Sequence, residues 1–398
     1  MAVPAQPDAD RVRFTDGTHR VCPPEETWAR VQPLLALAGV TRVADLTWLD
    51  TVGIPTWQAV RPLSLTLSVS QGKGASHPAA RVSAVMESLE TWHAEYVPPA
   101  LVARSAREIA GELSYDPENL GLAAGSVYSD GARIDWAAAE GVVTGRHTWV
   151  PVASVLLDTT VGTTWCPPLF EASTNGLASG NTVREAMLHG LYELLERDSR
   201  MRCLETARAR LLDVDSVRHP GCRELVRRLT RGDNSLRVLD VTVHDRLPCF
   251  VAQLGSRGLL MTFAGAGCHL DPVVALSRAL TEAAQSRLTV ISGAREDIRP
   301  STYRRIGRPL EARREDPPRL GVPVTSVRFD RHRDTSTMSV ERDVAFLAAR
   351  VTDLTGVEPV AAPLHRPGSD LPVVRVLAPG LAFDPSLDHR MPLVAADV

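Results

Sequence analysis

Acidic and amide side chains recur at helical spacing in the segment NGLASGNTVREAMLHGLYELLERD, residues 175–198. A glycine-rich turn precedes a predicted helix capped by Asn181, because an Asn side chain accepts hydrogen bonds from the free N–H groups of a first helical turn. At about 100° per residue, one arc of about 120° holds five polar side chains: Asn181, Glu185, His189, Glu193 and Glu196. Carboxylates on one edge of an otherwise apolar helix repel each other. The segment therefore predicts a divalent cation such as Mg²⁺ that bridges to a phosphate; a solvated acidic stripe is the simpler alternative.

A second acidic helix is predicted upstream, over residues 78–95. On it, Ser83, Glu87 and Glu90 lie within about 60° of one another. The preceding SLTLSVS alternates like a strand, and the sequence QGKG at 71–74 then breaks it. A strand, a glycine-rich break and a helix commonly present backbone N–H groups to phosphate. The spacing is nevertheless not that of a Walker A loop.

Lys73 is the only lysine among the 44 lysine and arginine residues of the chain. It lies between two glycines, after the predicted strand and before the acidic helix. Lysine offers a compact ammonium that loses its proton when buried, which arginine does not do readily. We predict a role for Lys73 at a phosphate or at the reacting group, against the alternative that its position is accidental.

A third helix is predicted over residues 272–293, where Arg278, Glu282 and Gln285 share one edge and Arg287 points to the opposite side. Arg278 and Glu282 are spaced for an i,i+4 ion pair, which is the simpler reading. Alternatively, Arg278 faces a phosphate while Glu282 orients it or binds metal.

The cysteines and histidines are weaker candidates for the functional site. The six cysteines have neither CxxC nor zinc spacing, and we expect them to be reduced. Cys268 is a remote candidate for a catalytic thiol. For the histidines near the motifs, His93, His189 and His269, a packed or capping role is the simpler explanation of each; His189 is the best candidate for a site role, because it shares the acidic arc.

In combination and in this order, SQGKG, SxxxExxE, SGNTxxEAxxHxxxELxERD and RALTEAAQSR resemble the YcaO family, whose members use ATP and Mg²⁺ to activate backbone amides of ribosomally made peptides. The similarity runs from about residue 15 to about residue 385 and implies the YcaO-type fold. It also implies roles for individual residues, and Arg20 and Thr27 fit the family's early nucleotide contacts by their spacing.

The resulting expectations are of three kinds. We expect ATP to be bound by Arg20, Thr27, Ser83, Asn181, Arg197, Arg278, Glu282 and Gln285. We expect metal to be bound by Glu87, Glu90, Glu185, Glu193 and Glu196. We expect a catalytic role for Lys73, Glu193, Glu196 and Arg197.

Composition fits such an enzyme. The chain has 398 residues, 44% of them hydrophobic, and a net charge of −3 without a basic tail, so we expect no nucleic-acid partner. Apolar runs are too short for a membrane span and the start MAVPAQPDADRVRF lacks a signal-peptide core, which leads us to expect a cytoplasmic protein. The acidic helices must converge in space. We therefore predict a flexible segment over 1–20 and one catalytic domain over 21–398, with its core motifs at 64–300.

Coarse patterning predicts a mixed α/β fold with antiparallel sheets. We expect further helices near 26–38, 104–112, 222–231 and 340–355, with the second acidic helix reaching 209. Strands are predicted at 64–70, 147–157 and 372–377, and three consecutive strands between 236 and 265. Residues 299–335 are predicted to be exposed surface.

The product is not decided by these motifs. The chain lacks an E1-like domain, and its ending RMPLVAADV lacks the Pro-x-Pro-x-Pro of many azoline-forming relatives. The segments GTHRVCPPEETWARV, VADLTWLDTVGIP and SVSQGKG are more similar to members that work with a TfuA partner and resemble peptide thioamide synthetases. Thioamide formation with a sulfide-delivering TfuA-like protein is the leading hypothesis. Azoline or amidine formation, and a non-catalytic nucleotide-binding scaffold, remain as alternatives; the family also implies a precursor-peptide substrate and a homodimer.

Overall fold

The computed structural model describes residues 10–161, 167–206, 208–256, 259–306 and 325–381. The helices of these residues are α1 (Pro24–Val31), α2 (Leu34–Leu37), α3 (His77–Ala94), α4 (Val183–Thr206), α5 (Pro220–Leu229), α6 (Pro272–Ser292), α7 (Pro300–Ile306) and α8 (Val340–Thr355). The strands are β1 (Arg42–Asp45), β2 (Thr56–Val60), β3 (Val69–Lys73), β4 (Leu101–Ser105), β5 (Arg133–Gly141), β6 (His147–Pro151), β7 (Leu177–Ser179), β8 (Arg210–Asp213), β9 (Asn234–Asp240), β10 (Cys249–Ser256), β11 (Leu259–Cys268), β12 (Ser326–Arg328), β13 (Val360–Pro363) and β14 (Val373–Leu377).

Three sheets organise the described part of the chain. One has the order β1-β2-β3, a second β11-β10-β9-β8-β12, and a third β4-β5-β13-β14-β7 with β6 also paired to β5. The pairings are antiparallel except for β12 with β8, which is parallel. The predicted mixed α/β class with antiparallel sheets is confirmed.

Each of the three acidic helices packs on a different sheet. Helix α3 lies on β2 and β3, α6 lies on β10 and β11, and α4 lies between β7 and β14 on one side and α8 on the other. The largest apolar cluster joins α4, α8, β9, β10 and β14, and a second one lies under α6. The sheets therefore support three helices that point their polar edges at a common space.

Glycines let the helix backbones touch the strand backbones. A Cβ added at Gly72 in β3 would lie 2.0 Å from the Ala84 nitrogen of α3, and one at Gly265 in β11 would lie 2.2 Å from the Ala283 nitrogen of α6. Only a residue without a side chain fits such an approach. The acidic helices are thus held at a fixed distance from the strands beside them.

These glycines explain one correction to the sequence reading. Residues 64–70 were predicted to be a strand that ends at the QGKG sequence, but β3 spans Val69–Lys73 and contains most of it. The glycine is needed for contact with the helix and does not break the strand. Residues 61–68 form turns instead.

Other boundaries also differ. Asn181 does not cap α4, because the Glu185 N–H donates to Thr182 Oγ1 at 3.1 Å and Thr182 is the capping residue. The helix predicted over 104–112 is the end of β4 followed by turns. The helix predicted near 26–38 is divided into α1 and α2, and only residues 147–151 of the predicted 147–157 strand are extended.

The remaining long elements follow the predictions closely, namely α3, α4, α5, α6, α8, β9, β10, β11 and β14. Residues 307–324 of the predicted exposed segment lie outside the described residues.

The beginning of the described chain is attached to the fold. Arg11 forms a β-bridge with Ser339, Phe14 forms one with Arg20, and Val12 is buried. The boundary expected at residue 20 therefore does not coincide with the beginning of the packed chain, while residues 1–9 lie outside the described residues. Within the described ranges, no helix has both the length and the apolar character needed to cross a membrane.

Replacing Gly72 by alanine should destabilise the protein, because the added methyl group meets the backbone of α3. We expect the free energy of unfolding to fall by about 3 kcal/mol, as for an overpacked core site. Denaturant titration of Gly72→Ala against Gly111→Ala measures the effect, since nothing lies within 4 Å of the corresponding Cβ position at exposed Gly111. Equal midpoints for the two variants would contradict the close approach.

Candidate active site

A cleft of about 1060 Å³ lies between α3, α4 and α6. It follows the length of α3. Near the beginning of this helix, a Cβ added at Gly17 would lie 3.1 Å from Ala75 Cβ. Near its end, cleft-lining Leu157 donates its N–H to the Ala94 carbonyl at 2.9 Å. The cleft is therefore elongated, with the carboxylates in its middle part.

All the residues expected to form the site line this one cleft. They are Arg20, Thr27, Lys73, Ser83, Glu87, Glu90, Asn181, Glu185, Glu193, Glu196, Arg197, Arg278, Glu282 and Gln285. Arg287 does not join them: its Nε donates to Asp50 Oδ2 at 2.7 Å on the other side of α6, as the periodicity predicts.

The Arg20 end of the cleft is held by amide and hydroxyl contacts. Thr27 Oγ1 donates to Asn181 Oδ1 at 2.9 Å, and Asn181 Nδ2 donates to Glu185 Oε1 at 3.1 Å. The other oxygen of Glu185 accepts from the Val21 N–H at 2.8 Å, and Arg20 Nε lies 3.9 Å from Glu185. Glu185 is buried and fixes the chain around Arg20.

Two carboxylates of α3 face the middle of the cleft. Ser179 donates its N–H and its hydroxyl to Glu90 Oε1 at 2.8 and 2.6 Å. Burial raises the pKa of Glu90 to about 8, and the Glu87 and Glu193 carboxylates add to the shift. Burial likewise raises the pKa of Glu87 to about 7, while Arg295 and Lys73 act against this. The two groups share one region of negative potential.

Helix α4 contributes the facing carboxylates. Burial raises the pKa of Glu196 to about 7, and the neighbouring Glu282 carboxylate adds to it. Glu193 Oε1 accepts from Arg197 Nη2 at 3.2 Å, an i,i+4 contact on the same helix. Carboxylates of α3, α4 and α6 thus influence one another across the cleft.

Lys73 pairs with Glu282. Its Nζ lies 2.5 Å from Glu282 Oε2, and Glu282 Oε1 accepts from the Ala266 N–H at 3.2 Å. Burial acts to raise the pKa of Glu282, but Lys73, the charge of Arg278 and the Ala266 N–H together outweigh it and the pKa is lowered. The simpler i,i+4 pairing of Glu282 with Arg278 is not found among the ion pairs of the described residues.

Arg278 instead reaches α4, where its Nη2 lies 3.5 Å from His189 Nε2. Burial, together with the charges of Arg20 and Arg278, lowers the pKa of His189 well below its usual range, so the ring is neutral. His189 lines the cleft, as its place in the acidic arc predicted. His93 and His269 are packing residues: His93 bonds the Leu89 carbonyl, and His269 stacks on Tyr192.

Three functional residues were missed by the sequence reading. Ser179 binds Glu90, although the turn that contains it was noted. Arg295 lines the cleft just after α6 and acts on Glu87, and no periodic signal marks it. Arg375 is buried in β14 with its charge acting toward Glu193. An arginine within the apolar sequence VVRVL was a signal that could have found it.

A catalytic thiol is not supported. Cys268 is buried opposite Cys249 in the β10–β11 pairing and is not among the cleft residues. Of the described cysteines only Cys22 lines the cleft, and burial raises the pKa of its thiol, which keeps the thiolate population low.

The carboxylates fit Mg²⁺ that is shared with a polyphosphate. Within the described residues, no three His, Cys, Asp or Glu side chains approach closely enough to enclose an ion by themselves. Mg²⁺ commonly takes one or two carboxylates and completes its shell with water and phosphate oxygens. Buried carboxylates with raised pKa values on α3 and α4 match this partial donor set and gain a counter-charge from the ion.

Three helices, each packed on its own sheet, surround a cleft that contains glutamates, arginines and one lysine. This arrangement is typical of proteins that bind a metal-bound polyphosphate. The chain belongs to the YcaO family: residues 71–382 match the family described as YcaO cyclodehydratase, ATP- and Mg²⁺-binding. The predicted family is thereby confirmed, and ATP and Mg²⁺ are the cofactors of that family.

Two uncharacterized proteins and one solved structure illustrate what the chain is similar to. The chain is 45% identical to an uncharacterized protein of Mycobacterium tuberculosis, over 98% of this chain and 88% of that protein. It is 36% identical to an uncharacterized protein in the tfuA 3′ region of Rhizobium leguminosarum bv. trifolii, over 93% and 90%. Its structure is similar to YcaO from Methanopyrus kandleri bound with AMPPCP and Mg²⁺, with a TM-score of 0.73, 25% identity and coverage of 98% and 99%.

The raised carboxylate pKa values predict how stability depends on pH. Glu87, Glu90 and Glu196 titrate at about 7, 8 and 7 in the folded protein, against 4.5 ordinarily. Above pH 4.5 the folded state therefore binds protons that the unfolded state has released, and the free energy of unfolding falls as pH rises through about 8. Buried neutral His189 costs stability only below its ordinary pKa of 6.5.

The measurement is denaturant titration of the ligand-free protein between about pH 6.5 and about pH 8.5. We expect lower stability at the upper pH, a smaller loss in Glu90→Gln, and an unchanged loss in Glu205→Gln, whose side chain is exposed on the same helix as Glu193. Mg²⁺ with a non-hydrolysable ATP analogue should also reduce the loss. Stability that rises with pH in this window would contradict the carboxylate cluster.

Proposed function

We propose that this protein uses Mg²⁺ and ATP to activate a backbone amide of a ribosomally made peptide by phosphorylation of the amide oxygen. An amide oxygen is a poor leaving group, and phosphorylation makes its departure easy. The observation that carries the proposal is the convergence of six glutamates, Lys73, Arg197 and Arg278 on one cleft. Family membership supports the use of ATP and Mg²⁺.

The carboxylates would hold the metal. Glu87 and Glu90 from α3 and Glu196 from α4 are the strongest candidates, because burial leaves them in need of positive charge. Glu193 of α4 joins them, because it lines the same cleft and its charge acts on Glu87 and Glu90. Glu185 also remains a candidate, although both its oxygens already accept N–H groups. When bound, Mg²⁺ neutralises and orients the phosphates and ATP supplies the phosphoryl group.

Basic and amide groups would position the nucleotide. Arg20, Thr27 and Asn181 form a connected set at one end of the cleft, and Ser83 lines the same cleft. Arg278, Arg197 and Gln285 would add contacts along the phosphates, which arginine binds with charge-assisted hydrogen bonds. The Lys73 ammonium, held by Glu282, would stabilise charge on the amide oxygen as it is phosphorylated.

The other part of the cleft offers room for the peptide. Thr66, Leu67, Leu157 and Thr159 line it near the end of α3, and Thr159 donates its N–H to the Leu65 carbonyl at 2.9 Å. A volume of about 1060 Å³ is at the upper end of small-molecule sites. This space supports simultaneous binding of nucleotide and peptide.

We propose thioamide formation as the leading reaction, with a TfuA-like protein that delivers sulfide. The relative described as lying in the tfuA 3′ region supports this pairing. Azoline formation by cyclodehydration is the second candidate, favoured by the cyclodehydratase description of the family. In the first reaction, sulfide attacks the activated carbon and phosphate leaves; in the second, a side-chain thiol or hydroxyl of the peptide attacks.

Intact mass of the candidate precursor peptide distinguishes the products. The reaction contains this protein, Mg²⁺, ATP, a sulfide source and the TfuA-like partner. We expect one oxygen to be exchanged for sulfur, dependent on both ATP and sulfide. Loss of one water without sulfide would instead establish azoline or amidine formation and overturn the leading assignment.

Replacing Glu193 by glutamine should abolish modification, because the amide cannot supply the negative charge that holds Mg²⁺. We expect at least about a 100-fold loss of rate, measured by the same mass assay. Glu205→Gln, an exposed substitution on the same helix, should retain activity. Loss of modification in a Glu193→Gln protein that still folds and binds its partners would exclude a non-catalytic scaffold, whereas full activity would refute the metal role.

A further inference from the structure

Arg278 has an unusual environment for a phosphate-binding residue. Its Nη2 contacts His189 Nε2 at 3.5 Å, and its Nε is buried without a hydrogen-bond partner among the described residues. Arginine carries four rotatable side-chain torsions, so a guanidinium that must meet a phosphate needs neighbours that fix its direction. On α4 that neighbour is His189.

His189 is itself held on its other side. Its ring donates a hydrogen bond to the backbone of Ser179, the same residue whose N–H and hydroxyl bind Glu90. A ring that donates to the backbone through one nitrogen presents the other as an acceptor, which suits the Arg278 N–H. A continuous chain of contacts therefore joins Glu90 on α3, Ser179 on β7, His189 on α4 and Arg278 on α6.

The pocket beside the ring is small and is shared with Arg278. A cavity of about 20 Å³, with room for about one water molecule, is lined by His189 and Arg278 together with Thr18, His19, Arg20, Leu188, Tyr192 and His269. The Tyr192 and His269 rings are stacked with centroids 4.4 Å apart. His189 and Arg278 therefore lie side by side both in this cavity and in the cleft.

We propose that His189 is a positioning residue that directs the Arg278 guanidinium toward the nucleotide and couples it, through Ser179, to the Glu90 carboxylate. This inference rests on the proposed function, because Arg278 needs a nucleotide to contact. His189 performs no proton transfer in it. Its role is to present a neutral acceptor at a fixed place.

The test compares nucleotide affinity in two His189 variants. In His189→Leu the acceptor is lost, and we expect the Kd for AMPPCP with Mg²⁺ to rise about tenfold, as for loss of one hydrogen bond to a charged group. His189→Gln returns an acceptor and a donor and should recover most of the affinity. Calorimetric titration measures the Kd, and thermal unfolding is recorded for each variant.

His93→Leu is the matched control. His93 is also buried on an acidic helix and hydrogen-bonded through both ring nitrogens, to the Leu89 carbonyl and Ser369 Oγ, but it does not line the cleft. We expect its unfolding temperature to fall while its Kd stays within about twofold of the wild type. Equal effects of His93→Leu and His189→Leu on Kd would overturn the proposal.

A double-mutant cycle with Arg278→Ala separates positioning from packing. If His189 acts through Arg278, then His189→Leu has no further effect on Kd once Arg278 is removed. Additive losses in the cycle would overturn the inference while leaving the proposed function intact. If His189→Leu does not fold, His189→Met takes its place in the cycle. A wild-type protein that binds no nucleotide would instead refute the proposed function, and the inference with it.

Discussion

The cleft buries several carboxylates beside one another, and their desolvation, reinforced by mutual repulsion, has to be offset by the groups around them. Glu87 and Glu90 come from α3 and Glu196 from α4, and burial raises the pKa of each to about 7 or 8. A fold that only had to be stable would place these groups in water. Burying these carboxylates together lowers the stability of the fold and creates a region of negative charge that cations neutralise. This accounts for the presence of Lys73, Arg278 and Arg295 beside it.

Close contact between strand and helix backbones keeps that assembly in place. Gly72 and Gly265 bring β3 and β11 against α3 and α6, and Gly190 of α4 lies against Val376 of β14. Each acidic helix is thus fixed to its own sheet. For β3 and β11 the nearest atoms are helix backbone, so α3 and α6 cannot slide along these strands without a clash.

Much of the site could be predicted from sequence because its information is local. Three helices with polar edges follow from 3.6-residue periodicity, and every predicted site residue lies in the cleft. Long-range pairings could not be predicted. The partner of Glu282 is Lys73, 209 residues away, and not Arg278 at i,i+4. Gly72 was misread as a strand break because its purpose is visible only once α3 packs on β3, and Arg295 has no repeating pattern to mark it.

The solitary lysine has a practical meaning. Every other lysine-or-arginine position in the sequence is an arginine, so Lys73 carries the only side-chain amine of the chain. Amine-directed reagents therefore address one side chain, and that side chain lies in the cleft. Its Nζ lies 2.5 Å from Glu282 Oε2, so an amine reagent must compete with this contact to reach it. The labelling rate of Lys73, measured separately from that of the N-terminal amine, is thus a chemical reporter of the ion pair in the cleft.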